Sequence, residues 1–183
     1  MAVIFQNLVS ADSDIGEFIS AKKVSATIAG KEEKFSIEKY KTGEDYKYFL
    51  TQNTLFGQKK KILLSGFEDN ISLCGKESGI GNAICLMGDV GVHSQNIEIL
   101  KYLNGRFTIF PFYKDGALSN NISSDVPNYS FETKNGSVNL VIDQRDYDTD
   151  PINNAIRSRY KATDSGFVFD GIENITYNKS RQD

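Results

Sequence analysis

The chain has 183 residues, of which 39% are hydrophobic and 25% are charged, and its formal net charge is -3. A chain of this length can bury a core without metal ions or many disulfides, so we expect a single domain over residues 1–183. The near-neutral balance, with both charge signs interspersed, excludes an extended basic surface for nucleic acid or for a membrane.

The N-terminal residues show neither a secretory leader nor a strong helix. Met1–Phe5 lacks the basic start and the long apolar run of a signal peptide. Phe5–Ala21 has a loose helical spacing that polar residues and Gly16 interrupt, so at most a short helix is expected after Asp14. The whole chain also lacks the roughly 20 consecutive apolar residues that a membrane-spanning helix needs.

Alternating apolar and polar residues then predict strands. Residues 23–28 alternate in this way, and residues 34–38 do so again after a turn predicted at Gly30–Glu32. The next strands are predicted at Tyr46–Leu50 and Lys60–Leu64. These residues are therefore expected to form a first hairpin followed by two further strands.

Cys74 and Cys85 are the only cysteines, and a glycine-rich stretch lies between them. Their short separation and apolar flanks favour a disulfide across a hairpin or loop, with two free buried thiols as the alternative. A disulfide places the chain outside the reducing cytosol. We therefore expect a periplasmic or extracellular protein whose leader is absent from this sequence.

Catalytic motifs are weak in the middle of the chain. His93 is the sole histidine, and no Gly-x-Ser-x-Gly motif accompanies it to support a catalytic triad. One histidine and two cysteines also lack the paired spacing of a zinc site. His93 is therefore interpreted as a loop residue, and no enzyme activity is expected.

The second half of the chain contains four turn signals and one proline-interrupted strand. Asparagine or aspartate followed by glycine suits type I′ hairpin turns, which need positive φ at both central residues, so four such pairs between strand-like runs predict an antiparallel meander. Pro111 lacks an N–H for a ladder hydrogen bond, so the aromatic run Phe107–Tyr113 should lie at an edge or carry a bulge. Leu118–Asn128 is predicted to be a long surface loop. The four predicted turns are Asn104–Gly105, Asp115–Gly116, Asn135–Gly136 and Asp170–Gly171.

An acidic cluster follows the apolar run Val138–Ile142. Asp146, Asp148 and Asp150 alternate as at the start of a calcium-binding loop, where carboxylate oxygens suit a hard cation. Pro151 stands where such a loop has glycine, and Arg157 stands where it has a bidentate glutamate. A looser calcium site is therefore one interpretation, and a plain acidic turn between two strands is the other.

The region around this cluster resembles the C-terminal strands of small β-rich bacterial envelope proteins. The residues that carry the resemblance are Val141–Pro151, Ala155–Tyr160 and Gly166–Val168. The similar proteins are incomplete-propeller-like periplasmic proteins, among them lysozyme inhibitors and proteins suspected of antagonising toxins. The resemblance implies a protein that binds another macromolecule.

Together these observations predict an all-β chain, a meander, sandwich or partial propeller with at most one or two short helices. Its predicted function is that of a non-enzymatic inhibitor or immunity protein that binds an enzyme or toxin through the loops Gly75–Asn82, Gly88–Asn96 and Leu118–Asn128. A carbohydrate-binding or cell-surface module and a hydrolase using acidic residues are the alternatives. The residues predicted to contact the partner are Lys76, Glu77, Ile80, Asn82, His93, Asn120 and Asn121.

Overall fold

The computed structural model describes residues 15–53, 59–74, 80–91, 94–104, 106–124, 128–149 and 153–177. Within these ranges the chain is all-β, as predicted, and contains no helix. It follows that the described residues include no helix able to cross a membrane. The first eight strands are β1 (Glu17–Ile28), β2 (Lys31–Thr42), β3 (Asp45–Asn53), β4 (Lys59–Leu64), β5 (Asp69–Leu73), β6 (Ala83–Val90), β7 (Ser94–Leu103) and β8 (Arg106–Ile109). The remaining strands are β9 (Phe112–Lys114), β10 (Ala117–Ser119), β11 (Asn121–Ser124), β12 (Asn128–Lys134), β13 (Ser137–Arg145), β14 (Asn154–Ala162) and β15 (Phe167–Thr176).

The strands form three mostly antiparallel sheets. The first sheet has the order β1-β2-β3-β4, and the second has the order β11-β7-β6-β5, with β8 also paired to β7. The third sheet has the order β10-β9-β15-β14-β13-β12. Most neighbours in the sheets are neighbours in sequence, which is the meander that the turn signals predict.

The second sheet lies between the other two, because it contributes side chains to two cores. Leu86 and Leu100 pack with residues of the first sheet, such as Leu50. Ile97 and Ile99 pack with residues of the third sheet, such as Phe167. A strand that is covered on both faces needs apolar residues on both, and this explains the apolar run in β7.

Two of the four predicted Asx-Gly turns are confirmed, at the β9–β10 and β12–β13 hairpins. At a third, Asn104 follows Leu103, which pairs with Arg106, while Gly105 lies outside the described residues. Asn135 and Gly136 have φ values of 52° and 74°, as a type I′ turn requires. The first hairpin also forms, but its turn lies at Ala29–Gly30, one residue before the predicted position.

The fourth turn is wrong, because Asp170–Gly171 lies inside β15. Arg159 pairs with Gly171 and Tyr160 pairs with Phe169, so Asp170 is an extra residue that forms a bulge. An Asx-Gly pair suits a bulge as well as a hairpin turn, since both use unusual backbone conformations.

Two further predictions need correction. Where a short helix was expected after Asp14, the described chain enters β1 at Glu17, because pairing with β2 outweighs the loose helical spacing. The predicted surface loop Leu118–Asn128 contains the end of β10 and all of β11, and β11 pairs with β7. Its serine and asparagine residues thus form an edge strand as well as turns.

Candidate functional site at the disulfide loop

The two cysteines lie opposite each other on adjacent antiparallel strands. Cys74 directly follows β5 and Cys85 lies in β6, with their Cα atoms 5.2 Å apart and their sulfurs bonded. The N–H of Cys74 donates to the carbonyl of Cys85 at 2.9 Å, which continues the β5–β6 ladder. Cys85 is buried in the core between the second and third sheets. The predicted cysteine pairing is confirmed.

The first end of the intervening segment is also held by the third sheet. The hydroxyl of Tyr129 on β12 donates to the carbonyl of Cys74 at 2.7 Å. Burial raises the pKa of Tyr129, so this donor keeps its proton over the whole physiological range. The Cys74 end is therefore fixed by one covalent bond and by hydrogen bonds to two sheets.

The second end is held by the first and second sheets. The N–H of Ala29, in the β1–β2 turn, donates to the carbonyl of Gly81 at 2.5 Å, and Tyr102 donates its N–H to the carbonyl of Asn82 at 2.7 Å. The amide of Asn82 donates in return to the carbonyl of Tyr102 at 3.4 Å. All three sheets thus hold the ends of one short segment, residues 75–79, which lies outside the described residues.

The structure brings together only some of the residues predicted to contact a partner. Ile80 and Asn82 lie side by side at the second end of the disulfide loop, where Ile80 is half-buried against the core between the second and third sheets. Asn120 is exposed, and Asn121 donates its amide to the carbonyl of Ser65 at 3.2 Å. Both lie at the β11 edge of the second sheet, opposite the β5 edge. Lys76, Glu77 and His93 lie outside the described residues.

The predicted loop Gly88–Asn96 is mostly strand. Gly88 to Val90 belong to β6, and Ser94 to Asn96 belong to β7, so only residues 91–93 connect the two strands. A connection this short offers little contact area. The two ends of the disulfide loop, by contrast, are held by hydrogen bonds from all three sheets.

The acidic turn after β13 is stabilised by its own hydrogen bonds. Asp146 is buried, and its two carboxylate oxygens accept from the N–H of Asp148 at 3.1 Å and from the hydroxyl of Thr149 at 2.7 Å. No cluster of three or more potential metal ligands occurs among the described residues, which do not include Asp150. The calcium interpretation stays a prediction, while Asp146 has a defined role in shaping the turn.

Asp143, in the same acidic region, is part of an ion-pair network on the outer face of the third sheet. Arg157 contacts both of its oxygens, at 2.7 and 2.8 Å, and Tyr177 donates its hydroxyl at 2.9 Å. Burial by itself would raise the pKa of Asp143, but these hydrogen bonds hold it below its usual value. A carboxylate with this many donors is suited to holding β13, β14 and the end of β15 together.

Sequence reasoning missed a polar cleft between the first and second sheets. The cleft has a volume of about 230 Å³ and opens where β1 faces β5. Lys39 lies 3.5 Å from a carboxylate oxygen of Asp69 and 4.2 Å from the ring centre of the exposed Tyr46. Lys22 donates to the carbonyl of Ile71 at 3.2 Å. The lining residues are Ser20, Ala21, Lys22, Ile37, Lys39, Tyr48, Asp69, Asn70 and Ile71.

Two charged groups of this cleft, Lys39 and Asp69, keep their charges. A hydrogen bond with Tyr48 raises the pKa of Lys39, and the backbone N–H of Asn70 lowers the pKa of Asp69. The cleft therefore offers ammonium, carboxylate, amide and hydroxyl groups above an apolar floor that includes Ile37 and Ile71. No sequence motif indicates this cleft, because its lining residues come from four different strands.

Comparison of the chain with protein-family models, curated proteins and solved structures finds no match. The resemblance to envelope inhibitor and immunity proteins therefore stays a prediction.

Proposed function

We propose that this chain is a non-enzymatic binding protein of the periplasm or the extracellular space, and that it inhibits or neutralises an enzyme or toxin. The observation that carries the proposal is the anchoring of the disulfide loop. Its two ends are joined by the Cys74–Cys85 bond and held by hydrogen bonds from all three sheets.

Anchored loop ends favour recognition of another macromolecule. Association costs less when a binding loop loses little conformational freedom on contact, because part of the ordering has already occurred. A chain with two cores does not need a crosslink over so short a separation in order to fold. We assign the crosslink to stiffening the loop, which would enter or cover the cleft of the target while charges at its rim set the orientation.

The same bond supports the compartment named in this proposal. Disulfides persist in oxidising compartments and are rare in the cytosol. The bonded pair therefore supports a periplasmic or extracellular location, and targets of an inhibitor or immunity protein there would be envelope enzymes or secreted toxins.

The test is capture followed by inhibition. The whole chain is used as bait with envelope and secreted fractions of the source cells, and each captured protein is purified and assayed for loss of activity on adding the chain. We expect K76A/E77A to bind the captured target at least about tenfold more weakly, since loop side chains at the contact centre carry most of the binding energy.

The matched control is K41A/E44A, a lysine and glutamate exposed around the β2–β3 turn. This variant should bind within about twofold of the original chain, as expected of surface changes outside an interface. Equal losses in both variants, or captured proteins whose activities are unaffected by the chain, would contradict the proposal.

A second candidate function, binding of a saccharide, is favoured by the cleft between the first two sheets. Ligand sites combine an apolar lining with a few fixed polar groups, as in this cleft, and the exposed ring of Tyr46 contacts the lining residue Lys39. On a glycan array, we expect saccharide binding that D69A abolishes and K76A/E77A leaves unchanged. A chain that binds no glycan on such an array does not have this function.

A further inference from the structure

The chain passes from the first sheet to the second through one short crossover, residues 65–68. Side chains of the second sheet form hydrogen bonds with the backbone of this crossover. Asn96 donates its amide to the carbonyl of Gly66, Asn121 donates to the carbonyl of Ser65, and the N–H of Ser65 donates to Glu98 at 3.1 Å. Phe67 is buried in the core between the first two sheets. The crossover is thus the joint between these two sheets.

The crossover is packed too closely to accept a side chain at Gly66. Gly66 has a φ of 75°, and a Cβ atom there would lie 2.6 Å from the amide nitrogen of Asn96 and 2.7 Å from that of Asn121. Only glycine fits such a position without strain. The crossover backbone is therefore in close contact with the side chains of Asn96 and Asn121.

Glu98 is the one acidic side chain that binds the crossover backbone in the described chain. It is fully buried in β7, between Leu86 of β6 and Asn121 of β11 in the sheet ladder. Its second carboxyl oxygen has no hydrogen-bond partner, and neither does the buried hydroxyl of Ser65. A buried carboxylate without a countercharge is costly, so the neutral acid is the form that fits this site.

Within the described chain, no charged side chain on the surrounding elements forms an ion pair with Glu98. Glu68 of the crossover accepts from Gly91, and Asp89 of β6 accepts from Asn70. On β4, Lys61 pairs with Glu38, and Lys60, which has a partner of its own, places no charge beside Glu98 in the described chain. β11 carries no charged residue. Burial raises the pKa of Glu98 to about 8, and the hydrogen bond from Ser65 opposes this only in part.

We propose that Glu98 is a proton-controlled latch on the crossover, which holds the first sheet against the second when the carboxyl is neutral. Loss of the proton leaves an uncompensated charge beneath residues 65–68, and the first sheet then opens more readily. When the joint opens, water reaches Glu98 and its pKa returns to the ordinary value of 4.5. The open state therefore binds fewer protons than the closed state between these two values.

The direction of the pH effect on closing follows from the coupling between closing and proton binding by Glu98. Because the closed state holds the extra proton, its stability against opening is greatest below about pH 4.5 and falls as the pH rises. The equilibrium constant for closing should drop by about tenfold per pH unit and level off above about pH 8. This dependence is confined to the elements that the crossover joins.

The test measures amide hydrogen exchange of the whole chain at pH 5 to 9, corrected for the intrinsic exchange rate. In the original chain, protection of β2 and β3 should fall by about tenfold per pH unit up to about pH 8 and then level off, while that of β13 and β14 changes much less. E98Q keeps a neutral side chain of the same shape, so its profile should be flat. E132Q, at an exposed acid of β12, should behave like the original chain.

Equal pH dependence in E98Q and the original chain would overturn the proposal, as would an equal decline in all three sheets. If E98Q does not fold, infrared titration of the original chain decides. A carboxylic-acid band that persists at pH 7 and disappears near pH 8 supports the latch. Absence of any protonated carboxyl above pH 6 overturns it.

Discussion

Replacing Phe167 with alanine should lower the free energy of unfolding by about 3–5 kcal/mol. The Phe167 side chain is fully buried, and its ring centre lies 5.6 Å from that of Phe110 and 5.7 Å from that of Phe112. Removing the ring leaves a cavity between the second and third sheets, because the surrounding side chains relax only partly into the space. Urea denaturation followed by circular dichroism measures the change.

The adjacent residue provides the control. Val168 projects away from this core and is 39% exposed, so V168A should change the free energy of unfolding by about 0.5 kcal/mol or less. A loss below about 1 kcal/mol for F167A would mean that the core between the second and third sheets contributes little to stability.

Phe167 also lies where the chain passes from the second sheet to the third, a connection that the sequence indicates only in part. Pro111 was expected at an edge or a bulge, and in the structure it lies between β8 of the second sheet and β9 of the third. Phe110 still donates its N–H to Ile99, while the carbonyl of Pro111 accepts from the N–H of Phe167. A residue without an N–H suits this crossing, but nothing local in the sequence shows which strands it connects.

The features that could be predicted are local ones. The hairpins at Asp115–Gly116 and Asn135–Gly136 depend on backbone preferences of two residues, and the cysteine pair depends on the absence of any other cysteine. The prediction of a turn at Asp170–Gly171 is wrong for a related reason, because the same local backbone preference also permits a bulge. Only the register with β14 distinguishes the two outcomes.

The buried polar groups could not be predicted, because their environment comes from distant parts of the chain. In β7, alternation places Asn96 and Glu98 on one face, and period-two patterning assigns polar residues to solvent. In the structure that face is covered by the first sheet and by the crossover containing Ser65, 33 residues before Glu98. The polar cleft at Lys39 and Asp69 escapes sequence analysis for the same reason, since its walls belong to different sheets.

Loss of the Cys74–Cys85 bond is expected to lower the free energy of unfolding by about 2–3 kcal/mol while leaving the chain folded. The bond closes a short loop in the unfolded chain, so its entropic contribution is modest, and both hydrophobic cores remain when it is removed. Thiol titration of the unreduced, unfolded chain should first find no free thiol. C74A/C85A and the reduced original chain should then show the same shift in the urea midpoint.

The same variant separates stability from recognition. Under conditions where both forms are fully folded, C74A/C85A should bind the captured target more weakly, because the loop must then be ordered on contact. Reduction should have no further effect on C74A/C85A, which makes this variant its own control for the reductant. Two free thiols in the unreduced chain would remove the argument for an oxidising compartment. Unchanged target binding by C74A/C85A would instead show that the crosslink does not serve recognition, because the hydrogen bonds from the three sheets then suffice to present the loop.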